Sequence, residues 1–304
     1  MRKINAIIAV IVLTAALVPA AAAQGRFPSI LEAKLQAELK AVESGLDGVL
    51  GLAFKDLTTG KTLFLNEREV FPQASSIKIA VLAEMFKQAE EGRLDLDAFL
   101  TVDDGNRVAG SGVLYFLGRP SLSLSVRDTA VLMVVLSDNT ATNLLIDKVG
   151  MDAVNRRLDA LGLGKTRLRR KMMDLKAASE GRENVSTPLE MMTLLENVWK
   201  GAFLKEPGRK AFLDILAIPK DSPLRAGVPE GVEVAEKPGE LEAVRCDSGI
   251  VLLAGRPYVL SVMTTYLKRD GDGNPAIARI SRLIYEHVSR LARSSEIGRV
   301  VSDK

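Results

Sequence analysis

Phe71-Pro-Gln-Ala-Ser75-Ser-Ile-Lys78-Ile-Ala-Val-Leu82 puts a serine at the mouth of an apolar helix and a lysine one turn further on. The spacing predicts a helix from Ser75 to a glycine C-cap at Gly92, with Ser75 and Lys78 as i and i+3 neighbours on one face. A primary amine held against a hydroxyl in apolar surroundings activates a weak nucleophile. Ile77, Ile79, Ala80, Val81 and Leu82 supply those surroundings, and desolvation drives a lysine toward its neutral, basic form. The same letters also read as a serine N-cap followed by a surface lysine. A lone S-x-x-K arises by chance about once per 300-residue chain. The rest of the chain has to separate the two readings.

Outward from this stretch, residues 29–45 have the spacing of an amphipathic helix. Residues 49–57 and 62–66 are β-rich runs around the hairpin signal Thr58-Thr-Gly60-Lys61. After Ser75 the chain turns helical, with helix-spaced segments at 126–136, 139–149, 151–161, 188–200 and 207–217. Pro188 after Ser186-Thr187 marks a helix start. β-Character returns at 232–235, 243–253 and 258–265, and a helix at 276–293 closes the chain. Strands at both ends with a helical block between them predict an α+β fold. It is an antiparallel sheet built from both termini, flanked by terminal helices, with an all-α lobe inserted. The α/β lobe takes residues 24–68 and 218–304, and the helical lobe 69–217. A site at their junction is expected.

The N-terminus reads as a secretory signal peptide over residues 1–23. Arg2 and Lys3 precede an apolar run, and Ala21-Ala22-Ala23 offers a small-residue cleavage site. A secreted or periplasmic protein without stable membrane insertion is expected. Removing two positive charges lowers the net charge from +3 to +1. A near-neutral chain gives no electrostatic case for nucleic acid, and a monomer is expected.

Cys246 is the only cysteine, so no internal disulfide forms. His287 is the only histidine, lies in the final helix, and has the spacing of a structural residue. No zinc site can be built from one of each. Asp270-Gly-Asp272-Gly-Asn274 begins like a calcium loop, but the position that needs a bidentate glutamate holds Ser281. No metal or cofactor is expected. The basic run Lys165-Thr-Arg-Leu-Arg-Arg-Lys171 reads as a solvated loop. With no histidine available as base, a lysine-activated serine is the remaining nucleophile.

Two further motifs follow in order. Ser137-Asp138-Asn139 lies between two helical segments, and Lys237-Pro238-Gly239 ends a short β-run. Each alone is a helix cap or a turn. As an ordered set they resemble the penicillin-recognising serine acyl-transferases, and most of all class A β-lactamases. Met133-Val-Val-Leu-Ser137-Asp-Asn-Thr-Ala-Thr-Asn-Leu-Leu-Ile-Asp147 is the most specific stretch. The similarity spans about residues 28–292. It implies Ser75 as nucleophile, Lys78 as proton acceptor and Ser137 as shuttle to the leaving nitrogen. Asn139 would hold the acyl-side amide. Lys237 would attract a substrate carboxylate. The N–H groups of Ser75 and of Glu240, just past Gly239, would form the oxyanion hole. The implied partner is a small β-lactam or a peptidoglycan-like substrate.

The chain departs from that pattern in three places. Met172 stands where the family has the glutamate that activates the deacylating water. Asp174 and Glu180 are nearby in sequence as substitutes. The loop's closing ion pair keeps its arginine at Arg170, but the aspartate position reads Asn184 with Glu183 beside it, and the loop is one residue shorter. Pro238 replaces a hydroxyl that would touch the substrate carboxylate, with Arg245 as a candidate replacement. Proline there predicts an edge strand. Three functions stay open: a β-lactam hydrolase, a DD-peptidase or amidase on cell-wall peptides, and a penicillin-binding sensor that acylates without efficient turnover.

Overall fold

Period-2 alternation in the strands builds two cores, one on each face of a single sheet. Strand β1 (Val49–Asp56) sends Leu50, Leu52 and Phe54 to one face and Ala53 to the other. The computed structural model describes residues 26–295 and 297–300, so the expected signal peptide lies outside the described residues. Strand β2 (Thr62–Leu65) follows β1, and the C-terminal part adds β7 (Val234–Leu241), β8 (Val244–Val251) and β9 (Tyr258–Thr265). The five strands pair antiparallel in the order β2-β1-β9-β8-β7, so the sheet is built from both ends of the chain and β7 is an edge.

One face is covered by α1 (Arg26–Gly45) and α10 (Gly273–Ala292). Leu35 and Leu39 meet Ile277, Ile280, Ile284 and Val288, whose three- and four-residue spacing gives α10 one apolar stripe. The other face packs the inserted lobe around α2 (Lys78–Glu90), which is buried on nearly all sides from Lys78 to Phe86. Around it lie α3 (Val126–Val135), α4 (Asn139–Val149), α5 (Met151–Ala160), α6 (Leu175–Ser179), α7 (Pro188–Trp199) and α8 (Gly208–Ala217). A short α9 (Pro223–Ala226) leads back to the sheet.

The α+β architecture is as expected, with three corrections. The inserted lobe is not all-α: β3 (Phe71–Pro72) pairs with β6 (Val185–Ser186), and β4 (Phe99–Asp103) with β5 (Ser121–Ser125). These partners are far apart in sequence and carry no hairpin signal. The helix expected from Ser75 opens as a 3-10 turn over Ala74–Ile77, and α2 starts at Lys78. The run expected at 232–235 continues to Leu241, so Lys237-Pro238-Gly239 lies inside β7 instead of ending it. An edge strand tolerates Pro238 because one of its rows of N–H groups needs no ladder partner. Residues Asp270–Asp272 form a 3-10 turn before α10, in which Asp270 accepts from Ala243 N–H and Asp272 bonds Arg269.

The lobes touch where β1 has no side chain. A Cβ on Gly51 would lie 2.6 Å from the Phe71 ring and 2.8 Å from Pro188 Cγ. Gly51→Ala is therefore expected to overpack the junction and cost about 1–3 kcal/mol. A lower urea midpoint at unchanged slope checks this, and an unaltered midpoint would place Phe71 elsewhere.

Candidate active site

Ser75 sits in the 3-10 turn, in which side chains at i and i+3 eclipse, so Ser75 and Lys78 do share a face. Ala74, just before it, holds φ +45°, a left-handed backbone that non-glycine residues adopt at some cost. Lys78 is fully buried. Its Nζ donates to Ser137 O at 2.7 Å, to Ser137 Oγ at 3.0 Å and toward Asn139 Oδ1 at 3.4 Å. Burial, with the Lys237 charge adding to it, pushes the amine well below the ordinary lysine range, against a smaller opposing pull from Asp138.

Ser137 also takes a left-handed backbone, φ +52°, at the break between α3 and α4. Asp138 fixes that break. It caps α4 by accepting from Ala141 N–H, and its other oxygen accepts from Val113 and Leu114 N–H at 2.7 and 2.8 Å. The loop can come this close because residue 112 is glycine, where a Cβ would fall 2.1 Å from Asp138 Oδ2. Asn139 donates to Ala109 O and lies against Gly110, so its amide is held between that loop and Lys78.

Strand β7 forms the opposite wall. A Cβ on Gly239 would lie 2.5 Å from Gln73 O and 3.0 Å from Ser75 N, so only glycine allows the edge strand this close to the serine. Ser76 Oγ donates to Lys237 O at 2.9 Å and ties turn to strand. Lys237 is buried, with Nζ donating to Pro238 O, and burial lowers it to about 8 while Asp247 pulls the other way. Glu240 reaches the rim of the site and bonds Arg245 at 2.8 Å. Arg245 itself does not replace the hydroxyl missing at Pro238. Its guanidinium is taken up by Glu240 and the carbonyls of Leu241 and Val244, at the β7–β8 hairpin outside the cleft.

The loop over the third side is closed in its own way. Arg170 pairs with Glu183 through Nε and Nη2, at 3.2 and 2.9 Å. Asn184 accepts from the N–H groups of Arg169 and Arg170 and donates back to Arg170 O. Asn143 then grips Met172 by the backbone, accepting from its N–H at 2.8 Å and donating to its carbonyl at 3.0 Å. Met172 is buried in the core of the helical lobe. Neither substitute acid reaches this point: Asp174 caps α6 and Glu180 pairs with Arg182, both exposed. The basic run is not simply solvated, since Arg167, Arg170 and Lys171 pair with Asp159, Glu183 and Asp147.

Ser75 stands between two cavities. One is a cleft of about 420 Å³ lined by Ser137, Lys237, Gly239 and Ser222. The other, about 180 Å³, is lined by Asn139, Met172, Met173 and Leu175. Ser111 lines both, and Asp221 and Ser222 line the first, yet none belongs to a motif. The Ser222-Pro223 helix start was the one readable signal for that wall. His287 lies on the far face of the sheet beside Glu32 and Arg256. Among the described residues, no group of three or more His, Cys, Asp or Glu is placed to hold a metal.

Comparison with known proteins agrees with this geometry. Residues 34–288 match the model of the Beta-lactamase enzyme family. A β-lactamase of Streptomyces fradiae is 30% identical over 277 residues, covering 88% of this chain and 89% of that protein. The Stenotrophomonas maltophilia β-lactamase L2 is 29% identical over 238 residues, covering 76% and 77%. Among solved structures, a β-lactamase from Sphaerobacter thermophilus superposes with a TM-score of 0.77 at 30% identity, covering 84% of this chain and 97% of that one. The L158E mutant of PBP-A, an acyl-enzyme complex with penicillin G, gives 0.76 at 30%, covering 84% and 96%. With this fold, a family match over most of its length and relatives at 30% identity, the chain is a member of the β-lactamase enzyme family.

Proposed function

We propose that this chain is an exported serine hydrolase that forms an acyl-enzyme at Ser75 with β-lactams or related cyclic amides. The observation that carries the reading is the buried Lys78 amine, within hydrogen-bond reach of Ser137 Oγ and one 3-10 turn from Ser75. In its neutral form the amine takes the Ser75 proton as Oγ bonds to the lactam carbonyl carbon. Ser75 and Glu240 N–H groups receive the resulting oxyanion, and Gly239 supports this by bringing β7 against Ser75 N. As the C–N bond breaks, the proton passes from Lys78 through Ser137 to the ring nitrogen. Asn139 holds the acyl-side amide, and Lys237 attracts the carboxylate.

Hydrolysis of that intermediate needs a base for water, and a thioether accepts no proton at neutral pH. Met172 therefore favours a second reading, in which the protein acylates and turns over slowly, as a penicillin-binding sensor or a DD-peptidase-like enzyme would toward β-lactams. Intact mass after mixing with a chromogenic cephalosporin separates the two. A stoichiometric burst with a persistent adduct supports slow turnover, and sustained colour release supports the hydrolase. Ser75→Ala is expected to abolish the adduct, and an adduct surviving that change overturns the assignment. Met172→Glu is expected to shorten the adduct's lifetime by about 100-fold or more. An unchanged lifetime means that another base already acts.

The pH profile follows from the two lysines. Lys78 is lowered, so its neutral form exists well below the usual lysine range, and acylation rises as pH climbs through its pKa. Lys237 must stay charged, so acylation by a carboxylate-bearing lactam falls as pH rises through about 8. Lys237→Arg, which does not titrate there, is expected to move that alkaline limb upward. Stopped-flow acylation rates across pH 5–10 check this, and a limb that stays in place excludes Lys237 as its source.

A further inference from the structure

Pro238 has no hydroxyl, yet the cleft holds one beside it. Ser222, just before α9, is 3% exposed and lines the same cavity as Lys237, Pro238 and Ser137. Its Oγ bonds Asp247 Oδ2 at 2.5 Å and accepts from Arg225 N–H at 3.2 Å. Leu224 N–H donates to the same carboxyl oxygen at 2.9 Å. Asp247 is fully buried and faces Pro238 directly across the β7–β8 ladder. The carboxyl group thus bolts the start of α9 to β8, the strand paired with the one that carries Lys237, and holds the hydroxyl in the wall of the cavity that Lys237 also lines.

We propose that Ser222 is the hydroxyl that binds the substrate's carboxylate in this chain, alongside Lys237, and that Asp247 is its positioning residue. The inference rests on the acyl-enzyme reading above. Its chemistry depends on which partner donates. With Asp247 ionised, the serine proton points into the carboxylate and away from the cleft. With Asp247 neutral, its own proton goes to Ser222 Oγ and frees the serine proton for the substrate. Burial, reinforced by the Glu236 charge, raises Asp247 to about 7, so the donating arrangement holds below that pH and is lost as pH rises through it. The charged groups around Asp247 are Glu236 and Lys237 from β7 and Lys220 from the preceding segment, with Arg225 of α9 paired to Glu236. Against α9, α10 presents Ala278, Ser281 and Arg282 at Gly227, with Glu286 lining the same surface.

The test compares acylation rates of benzylpenicillin and its methyl ester, read by intact mass. A hydrogen bond to a charged group shifts affinity by about tenfold or more. Ser222→Ala is expected to slow the acid by about that factor more than it slows the ester. Ser222→Thr keeps the hydroxyl and should keep the preference. Pro238→Thr in the Ser222→Ala background should restore it. Asp247→Asn, which donates at every pH, should remove the limb near pH 7 that Lys237→Arg leaves in place. Equal slowing of acid and ester by Ser222→Ala would mark Ser222 as a helix cap only and overturn the proposal. If Ser222→Ala does not fold, a tenfold gain in preference from Pro238→Thr alone would overturn it too, because the carboxylate would then have lacked a hydroxyl. A wild-type protein acylated by neither compound would instead sink the acyl-enzyme reading itself.

Discussion

An ammonium group taken out of water loses several kcal/mol of hydration, and a neutral amine loses far less. Lys78 is placed where no water reaches it, and its hydrogen-bond partners there are neutral: a carbonyl, a hydroxyl and a carboxamide. Much of the surrounding structure serves this placement. Ser137 accepts a strained left-handed backbone so that both its carbonyl and its hydroxyl meet the amine. Asp138 holds that strain by capping one helix and anchoring a loop at the same time. A second buried cation, Lys237, adds its repulsion and helps keep the amine uncharged.

The parts of the fold that local pattern controls were legible in the residues. Strands whose alternate side chains face opposite cores show their period directly, and α10 shows its stripe. Ser75, Lys78, Ser137, Asn139 and Lys237 converge because each is held by backbone that its own neighbours shape. What was not legible depends on partners distant in sequence. Strand β7 runs past Pro238 because it is an edge, which is a property of strand order and not of the residue. Asp247 carries no signal of a partner in its own strand, because Ser222 and Leu224 reach it from more than twenty residues earlier. Arg245 has the charge expected of a carboxylate ligand but finds Glu240 first.

The loop shows how a broken motif can keep its geometry. With asparagine where the ion pair needs a carboxylate, Glu183 reaches Arg170 from one residue earlier. The displaced Asn184 then bonds main-chain groups on the opposite strand of the loop, which an aspartate, lacking a donor, could not do in both directions. Burial strengthens this exchange, since Asn184 is almost wholly out of solvent.

Asn143 holds residue 172 by its N–H and its carbonyl alone. The side chain packs in the core of the helical lobe, but neither hydrogen bond that keeps the loop in register passes through it. A change at residue 172 therefore leaves both bonds to Asn143 in place, and the chemistry offered at this point of the cleft can vary while the loop keeps its path.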